Sequence, residues 1–156
     1  VSVDSIGAEF EYVRYGGSWS KFLSNLQQLR EDFDKINFNS TWCILTAFGT
    51  LECMDYLQKL GFHENSFIVN PLDNPIQWHV GHLPDEILNQ LKQKILVKLS
   101  QSDHKYALYN SLNLMLNYLS IPIEKNLQST FDALREIDSR RNIDSKKIFV
   151  NLYNLI

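Results

Sequence analysis

Apolar residues recur along the N-terminal half with two different periods. Phe22, Leu26, Leu29, Phe33 and Ile36 are four, three, four and three residues apart. That spacing predicts one apolar face of a helix from Trp19 to Ile36, with Ser18 placed to cap it. Upstream, Val1-Ser2-Val3-Asp4 alternates β-branched and polar residues and predicts a strand. A loop ending in Gly16-Gly17-Ser18 joins the two. Phe38 to Phe48 is dense in β-branched and aromatic residues around Ile44-Leu45 and predicts a buried strand. Gly49-Thr50 reads as a turn. Leu51, Met54, Leu57 and Leu60 follow as a short helix, which Gly61 ends with a left-handed residue. Phe67-Ile68-Val69 is a third strand, stopped by Asn70-Pro71.

Beyond a loop from Asn70 to Leu83 the pattern is helical throughout. Pro84 suits a first helical position, where its missing N–H costs nothing, and Ile87, Leu88, Leu91 and Ile95 follow it. A second helix is predicted from Asp103 to Leu119, with Leu108, Leu112, Met115 and Leu119 inward. A third starts at Pro122 and uses Leu127, Phe131 and Leu134. A last one follows Asp144-Ser145 and uses Ile148, Phe149, Leu152 and Leu155. The fold class is therefore α/β. Strands alternating with helices over short connections imply right-handed crossovers and parallel pairing, here of three strands, followed by a helical cluster. Such a sheet has two open edges. Val1–Asp4 is thus expected to pair with something outside this sequence, and a chain opening in mid-strand reads as cut or processed.

Composition narrows the function classes. Of 156 residues, 44% are hydrophobic and 21% charged, the balance of a soluble globular chain. Lys+Arg is 15 against Asp+Glu 18, for a net charge of −3. This excludes a strongly basic nucleic-acid footprint. No apolar run approaches the roughly 20 residues of a membrane span, and no signal-peptide pattern opens the chain. Cys43 and Cys53 are too few for a disulfide framework or a four-thiolate site. A reducing, cytoplasmic setting is the expectation.

Ligands of parallel sheets gather at the carboxyl ends of the strands, here Asp4 to Gly7, Thr46 to Thr50 and Asn70-Pro71. Asp4 is placed to accept hydrogen bonds from a ribose diol, or to cap a turn. Arg14, just before a helix, can grip a carboxylate with its guanidinium fork or join a surface ion pair. His79 and His82 lack a neighbouring acid or thiol at a familiar metal-ligand spacing and read as ordinary loop histidines, and no metal site is expected. Both cysteines read as core. There is no nucleophile elbow and no phosphate-cradling glycine loop.

Several of these segments together resemble the radical S-adenosylmethionine enzymes. Val1-Ser2-Val3-Asp4-Ser5-Ile6-Gly7, then Glu11-Tyr12-Val13-Arg14-Tyr15-Gly16-Gly17-Ser18-Trp19, then Phe22 and Asn25-Leu26, are similar to the middle of members with a SPASM or shorter twitch extension. Those members commonly read apolar-Ser-apolar-Asp-Gly, then Tyr-x-x-Ile-Arg-x-Gly, then a helix carrying Asn-Leu. Val69-Asn70-Pro71-Leu72 and Leu83-Pro84 resemble the sixth strand and the start of the next helix. Phe131-Asp132-Ala133-Leu134, Asp138-Ser139-Arg140-Arg141-Asn142 and Ile148-Phe149 resemble the closing segment. Ser5 replaces the usual Gly, Asn142 stands where many relatives carry Gly, and Val150 follows Phe149 where relatives have Pro. The family's Cys-x3-Cys-x2-Cys motif, which binds a 4Fe–4S cluster, is absent, and residues 86–156 hold no cysteine for a second cluster.

The resemblance implies that residues 1–83 are the C-terminal half of a partial parallel barrel, with three strands and their crossover helices, and that residues 84–156 are a helical C-terminal extension. It implies S-adenosyl-L-methionine as cofactor of the parent protein, with the 4Fe–4S cluster in a missing N-terminal half and none in this chain. Carried over by position, Ser2 and Arg14 hold the methionine carboxylate and Asp4 the ribose region. Asn39 or Ser40 faces the cofactor, according to strand phase, and Asn70 presents backbone to adenine. The parent reaction is reductive cleavage of S-adenosylmethionine to a radical that abstracts hydrogen from a substrate of unspecified class. This chain supplies part of the binding wall and a cap, and is not a catalyst alone. The rival reading is a non-catalytic module that pairs its open sheet edge with a partner chain, with neither nucleic acid nor membrane involved.

Overall fold

A computed structural model describes residues 1–155. The chain is α/β, with parallel strands and a majority of helix. In order come α1 (Gly7–Val13), α2 (Trp19–Asp32), β1 (Phe38–Trp42), α3 (Gly49–Lys59), β2 (Phe67–Pro71), α4 (Asp85–Gln101), α5 (Ala107–Leu119), α6 (Leu127–Arg141) and α7 (Val150–Tyr153). Short 3-10 turns occupy Glu64–Ser66, Ile76–Trp78, Val80–His82 and Ser145–Lys147.

The sheet is smaller than the pattern predicts. β1 and β2 pair in parallel, with Asn39 opposite Ile68 and Thr41 opposite Asn70. The expected third strand, Val1–Asp4, contributes a single parallel bridge, Ser2 to Asn39. Its two ladder bonds run from Asn39 N–H to the Val1 carbonyl (2.8 Å) and from Val3 N–H to the Asn39 carbonyl (3.0 Å). The next bond would run from Thr41 N–H to the Val3 carbonyl. Instead, Thr41 N–H donates to Asp4 Oδ1 at 2.6 Å. The Val3 carbonyl accepts from the Ser40 hydroxyl at 2.5 Å. Two side chains thus replace the ladder, and the three-strand half-barrel expected from the pattern is reduced to two strands and a bridge.

One of the two expected open edges is closed. The Val69 N–H and the Phe67 carbonyl point away from β1, and both bond the Ser111 hydroxyl of α5, at 3.1 and 3.2 Å. Pro71, on the same edge, has no N–H to leave unpaired.

Several element ends also differ. α2 ends at Asp32 rather than Ile36, and Phe33 is exposed. Glu31 and Asp32 crowd the negative end of the helix dipole and oppose its extension. Ser18 does cap α2, accepting from Lys21 N–H, a contribution of about 1 kcal/mol. β1 stops at Trp42 because Thr46 Oγ1 folds the chain back, accepting from Cys43 N–H (3.0 Å) and donating to the Thr41 carbonyl (2.9 Å). Gly49 is the first residue of α3 rather than a turn. A Cβ there would sit 2.0 Å from Ser5 Oγ and 2.4 Å from Glu9 Oε2. α1 replaces a predicted loop. α5 starts at Ala107 and α6 at Leu127, where Asn126 caps it by accepting from Ser129 N–H. Pro84 is an N-cap rather than a first helical residue. Asn142, at φ 53°, ends α6 in the left-handed conformation that Gly or Asn adopts at low cost. The last predicted helix is a 3-10 turn followed by the one-turn α7.

Alternation along the strands decides where the core lies. Val3, Phe38, Trp42, Phe67 and Val69 are buried on one face. α2 and α3 lie side by side, joined by the Trp19–Tyr56 contact and by Arg30 Nη1 donating to the Leu60 carbonyl. One continuous cluster runs from Val3 through Leu112 and Leu134 to Phe149, so the C-terminal helices share the core of the sheet.

Candidate cofactor-binding face

The opposite face of the sheet is exposed among the described residues and is polar apart from Ile68. Ser2, Asn39 and Ile68 stand in register across the three segments, and Thr41 and Asn70 form the next row. Ser2, Asn39, Ile68 and Asn70 are exposed. Parallel sheets normally have both faces covered and apolar, so a polar bare face is an unusual feature. Strand phase also settles which neighbour faces outward. Asn39 lies on the bare face, and Ser40 is buried with its hydroxyl on Val3.

Asp4 and Arg14 meet at the carboxyl end of this face. Arg14 Nε donates to Asp4 Oδ2 at 2.6 Å and Nη2 to Oδ1 at 3.0 Å. With Thr41 N–H, the carboxylate has three donors. Its backbone carbonyl accepts from Thr50 Oγ1 at 2.8 Å, which ties it to the first turn of α3. The Asp4 side chain is 6% exposed and that of Arg14 36%. Asp4 is therefore turned inward as the partner of Arg14, not outward toward a diol. Among the described residues nothing bonds Arg14 Nη1, which leaves that side room for a second carboxylate. Asn70 lies on the same face, two residues further along β2 than the bridge row.

The other candidates are engaged elsewhere. Cys43 and Cys53 are buried thiols. Burial raises the Cys43 pKa and pushes that of Cys53 up to about 12. His82 accepts from Asn126 N–H at Nδ1 (3.0 Å), and its Nε2 lies 2.8 Å from the Ile76 carbonyl, which fixes a neutral Nε2–H tautomer. His79 accepts from Gly81 N–H and stacks on Tyr118. Burial lowers its pKa. Among the described residues, no three His, Cys, Asp or Glu side chains are grouped to hold a metal ion, and no helix is long and apolar enough to cross a membrane.

Sequence reasoning missed two features elsewhere in the chain. A cleft of about 480 Å³ opens beside the loop after β1, lined by Glu9, Phe48, Glu52, Lys94 and Phe149 among others. Burial raises the Glu9 pKa against the opposing hydrogen bond from Ser5, and the Glu52 charge adds to the rise. The second is a polar cluster joining α1 to α6. Tyr12 donates to Asp138 Oδ1 at 2.8 Å, across 126 residues of sequence. Only a hydrophilic residue amid the apolar positions of α6 marks Asp138, and nothing local links it to Tyr12.

No protein-family model, no curated protein and no solved structure matches the chain.

Proposed function

We propose that this chain is the C-terminal half of a radical S-adenosylmethionine partial barrel, and that its bare polar sheet face is part of the cofactor-binding wall. The observation that carries the reading is the face itself. A parallel sheet whose other face buries the core, and which carries Ser2, Asn39, Thr41 and Asn70 around a single exposed apolar residue, Ile68, on this one, is what the lumen wall of a barrel looks like when the rest of the barrel is not alongside. Of the segments that resemble the family, those with Ser2, Asp4, Arg14 and Asn70 lie on this face or at its end, whereas those at 131–134, 138–142 and 148–149 lie in the C-terminal helices. Arg14 would hold the methionine carboxylate through its free Nη1 side, with Asp4 orienting it rather than meeting the ribose. Ser2 and Asn39 would add polar contacts, and the backbone at Asn70 would meet adenine.

When bound, S-adenosylmethionine supplies a 5′-deoxyadenosyl radical on one-electron reduction. This chain's part is to bind, orient and enclose it. The iron–sulfur cluster does not fit the two buried cysteines described here, and the proposal assigns it to an N-terminal half of the parent protein, working in a reducing cytoplasm. The helical tail would serve as the cap.

The reading frame upstream of the Val1 codon tests this. A Cys-x3-Cys-x2-Cys triad preceding it is the expected result. An initiator codon adjacent to Val1 with no triad overturns the proposal and favours the interaction module, for which the outward amide and carbonyl of Ser2 would be the docking edge.

A further inference from the structure

Two segments singled out in the sequence, 12–15 and 138–142, are in direct contact. Tyr12 is buried, and its hydroxyl donates to Asp138 Oδ1. Asp138 Oδ2 in turn accepts from the Ser145 N–H at 2.9 Å and from the Ser145 hydroxyl at 2.6 Å. Ser145 is fully buried and its hydroxyl also reaches the Tyr153 hydroxyl at 2.7 Å. One turn along α6, Arg141 Nη1 donates to the Tyr12 carbonyl at 2.9 Å, and its guanidinium lies 4.5 Å from the centre of the Tyr15 ring. The ring of Tyr12 meets Phe149 edge-on at 5.1 Å. Residues on both sides of Arg14 are therefore gripped by the C-terminal extension, while Arg14 itself reaches the other way, to Asp4.

We propose that Tyr12, Asp138 and Arg141 form a clamp by which the C-terminal extension positions the Arg14 guanidinium on the polar sheet face. Arg14 ends α1, and its carbonyl accepts from Gly17 N–H at 2.7 Å. It stands at the start of a glycine-rich loop, where an arginine has many rotamers and no helix to restrain it. Asp4 fixes the tip of the side chain, and the clamp fixes the backbone from which it springs. The extension thus acts on the cofactor wall through Arg14 without touching it. All three are positioning residues. The consequence for the cofactor rests on the function proposed above, whereas the coupling of the clamp to Arg14 does not.

The test reads the Arg14 Nε–H directly, by NMR exchange with solvent in the chain without cofactor. Wild type should show a protected Nε proton, because it is held on a buried carboxylate. Tyr12→Phe and Arg141→Gln should each speed its exchange by about tenfold, as expected when one bracing hydrogen bond to a buried or charged group is lost. Arg141→Lys, which keeps a cation and a donor, should recover part of the protection. Ser111→Ala is the control, since it weakens the β2 edge far from residues 12–15, and it should leave the Arg14 rate at the wild-type value. An unchanged rate in Arg141→Gln overturns the clamp, as does an equal rise in Ser111→Ala. If Tyr12→Phe does not fold, the Arg141 pair carries the same comparison. Titration with S-adenosylmethionine separates the two proposals. A chain that ignores the cofactor but loses Arg14 protection in the clamp variants refutes only the function, and the reverse result refutes only the clamp.

Discussion

Replacing Asp4 and Arg14 singly and together should give a strongly non-additive loss of stability. Asp4→Ala removes three acceptor contacts at once. Thr41 N–H loses a charged acceptor in a part-buried hydrogen bond, at a cost of about 2 kcal/mol. The Arg14 pair adds about 1 kcal/mol, a small figure because the guanidinium is more than a third exposed and regains water when released. The total for Asp4→Ala is about 3 kcal/mol. Arg14→Ala leaves the Asp4 carboxylate inward with a single donor and should cost about 2 kcal/mol. The double variant should lose no more than Asp4→Ala does, because the first change has already released the second group. The coupling energy is then about 2 kcal/mol. Urea unfolding at neutral pH measures all four corners of the cycle, with equal denaturant slopes as the check that the unfolded state has not changed. Additivity within about 0.5 kcal/mol would show that the two groups act separately, and the account of Asp4 as the holder of Arg14 would fall.

Three other outcomes follow from particular contacts. Ser111→Ala should cost about 1–3 kcal/mol in urea unfolding, because it leaves the buried Val69 N–H without a partner; a loss below about 0.5 kcal/mol, the size of ordinary surface changes, would contradict the edge-closing role. Glu9 has a raised folded-state pKa, so its contribution favours the fold at low pH and is lost as pH rises from the ordinary glutamate range through the raised value; Glu9→Gln should therefore stabilise the chain near neutrality and by progressively less toward pH 4, a comparison in which the opposing His79 contribution cancels. Cys43 and Cys53 should both resist a thiol reagent in the native chain at mildly alkaline pH and react fully in denaturant, and fast labelling of either one in the folded state would refute its core placement.

The sequence pattern carries α2 to α6 and the direction of strand pairing, because periodicity reports burial and burial is what organises this fold; it misses α1. It places β2 well, since Phe67 and Val69 point inward and Asn70-Pro71 mark its end. It overstates the first strand. Val1–Asp4 has the right alternation, but the Asp4 and Ser40 side chains outcompete the backbone for Thr41 N–H and the Val3 carbonyl, a rivalry that composition does not express. It likewise overruns β1 into Cys43–Phe48, where the hydroxyl of Thr46 turns the chain despite the β-branched residues. Of the candidate site, Ser2, Asn39 and Asn70 share a face as strand geometry requires, and Asp4 and Arg14 meet. That they meet each other depends on α1 forming between them and ending at Arg14, which no local period records. The Tyr12–Asp138 contact spans most of the chain and is legible only in three dimensions.

The hydroxyl of Ser111 on β2 also bears on how this molecule can self-associate. An open fibre built edge to edge needs two free edges on every subunit, one to donate and one to receive. With the β2 edge occupied by a helix, a molecule consisting of the described residues alone would present the side at Ser2 as its one free edge. Two copies joined there use up both of their free edges, so growth ends at a closed pair. A single hydroxyl on α5 thereby separates a sheet that can seed a polymer from one whose association is self-limiting.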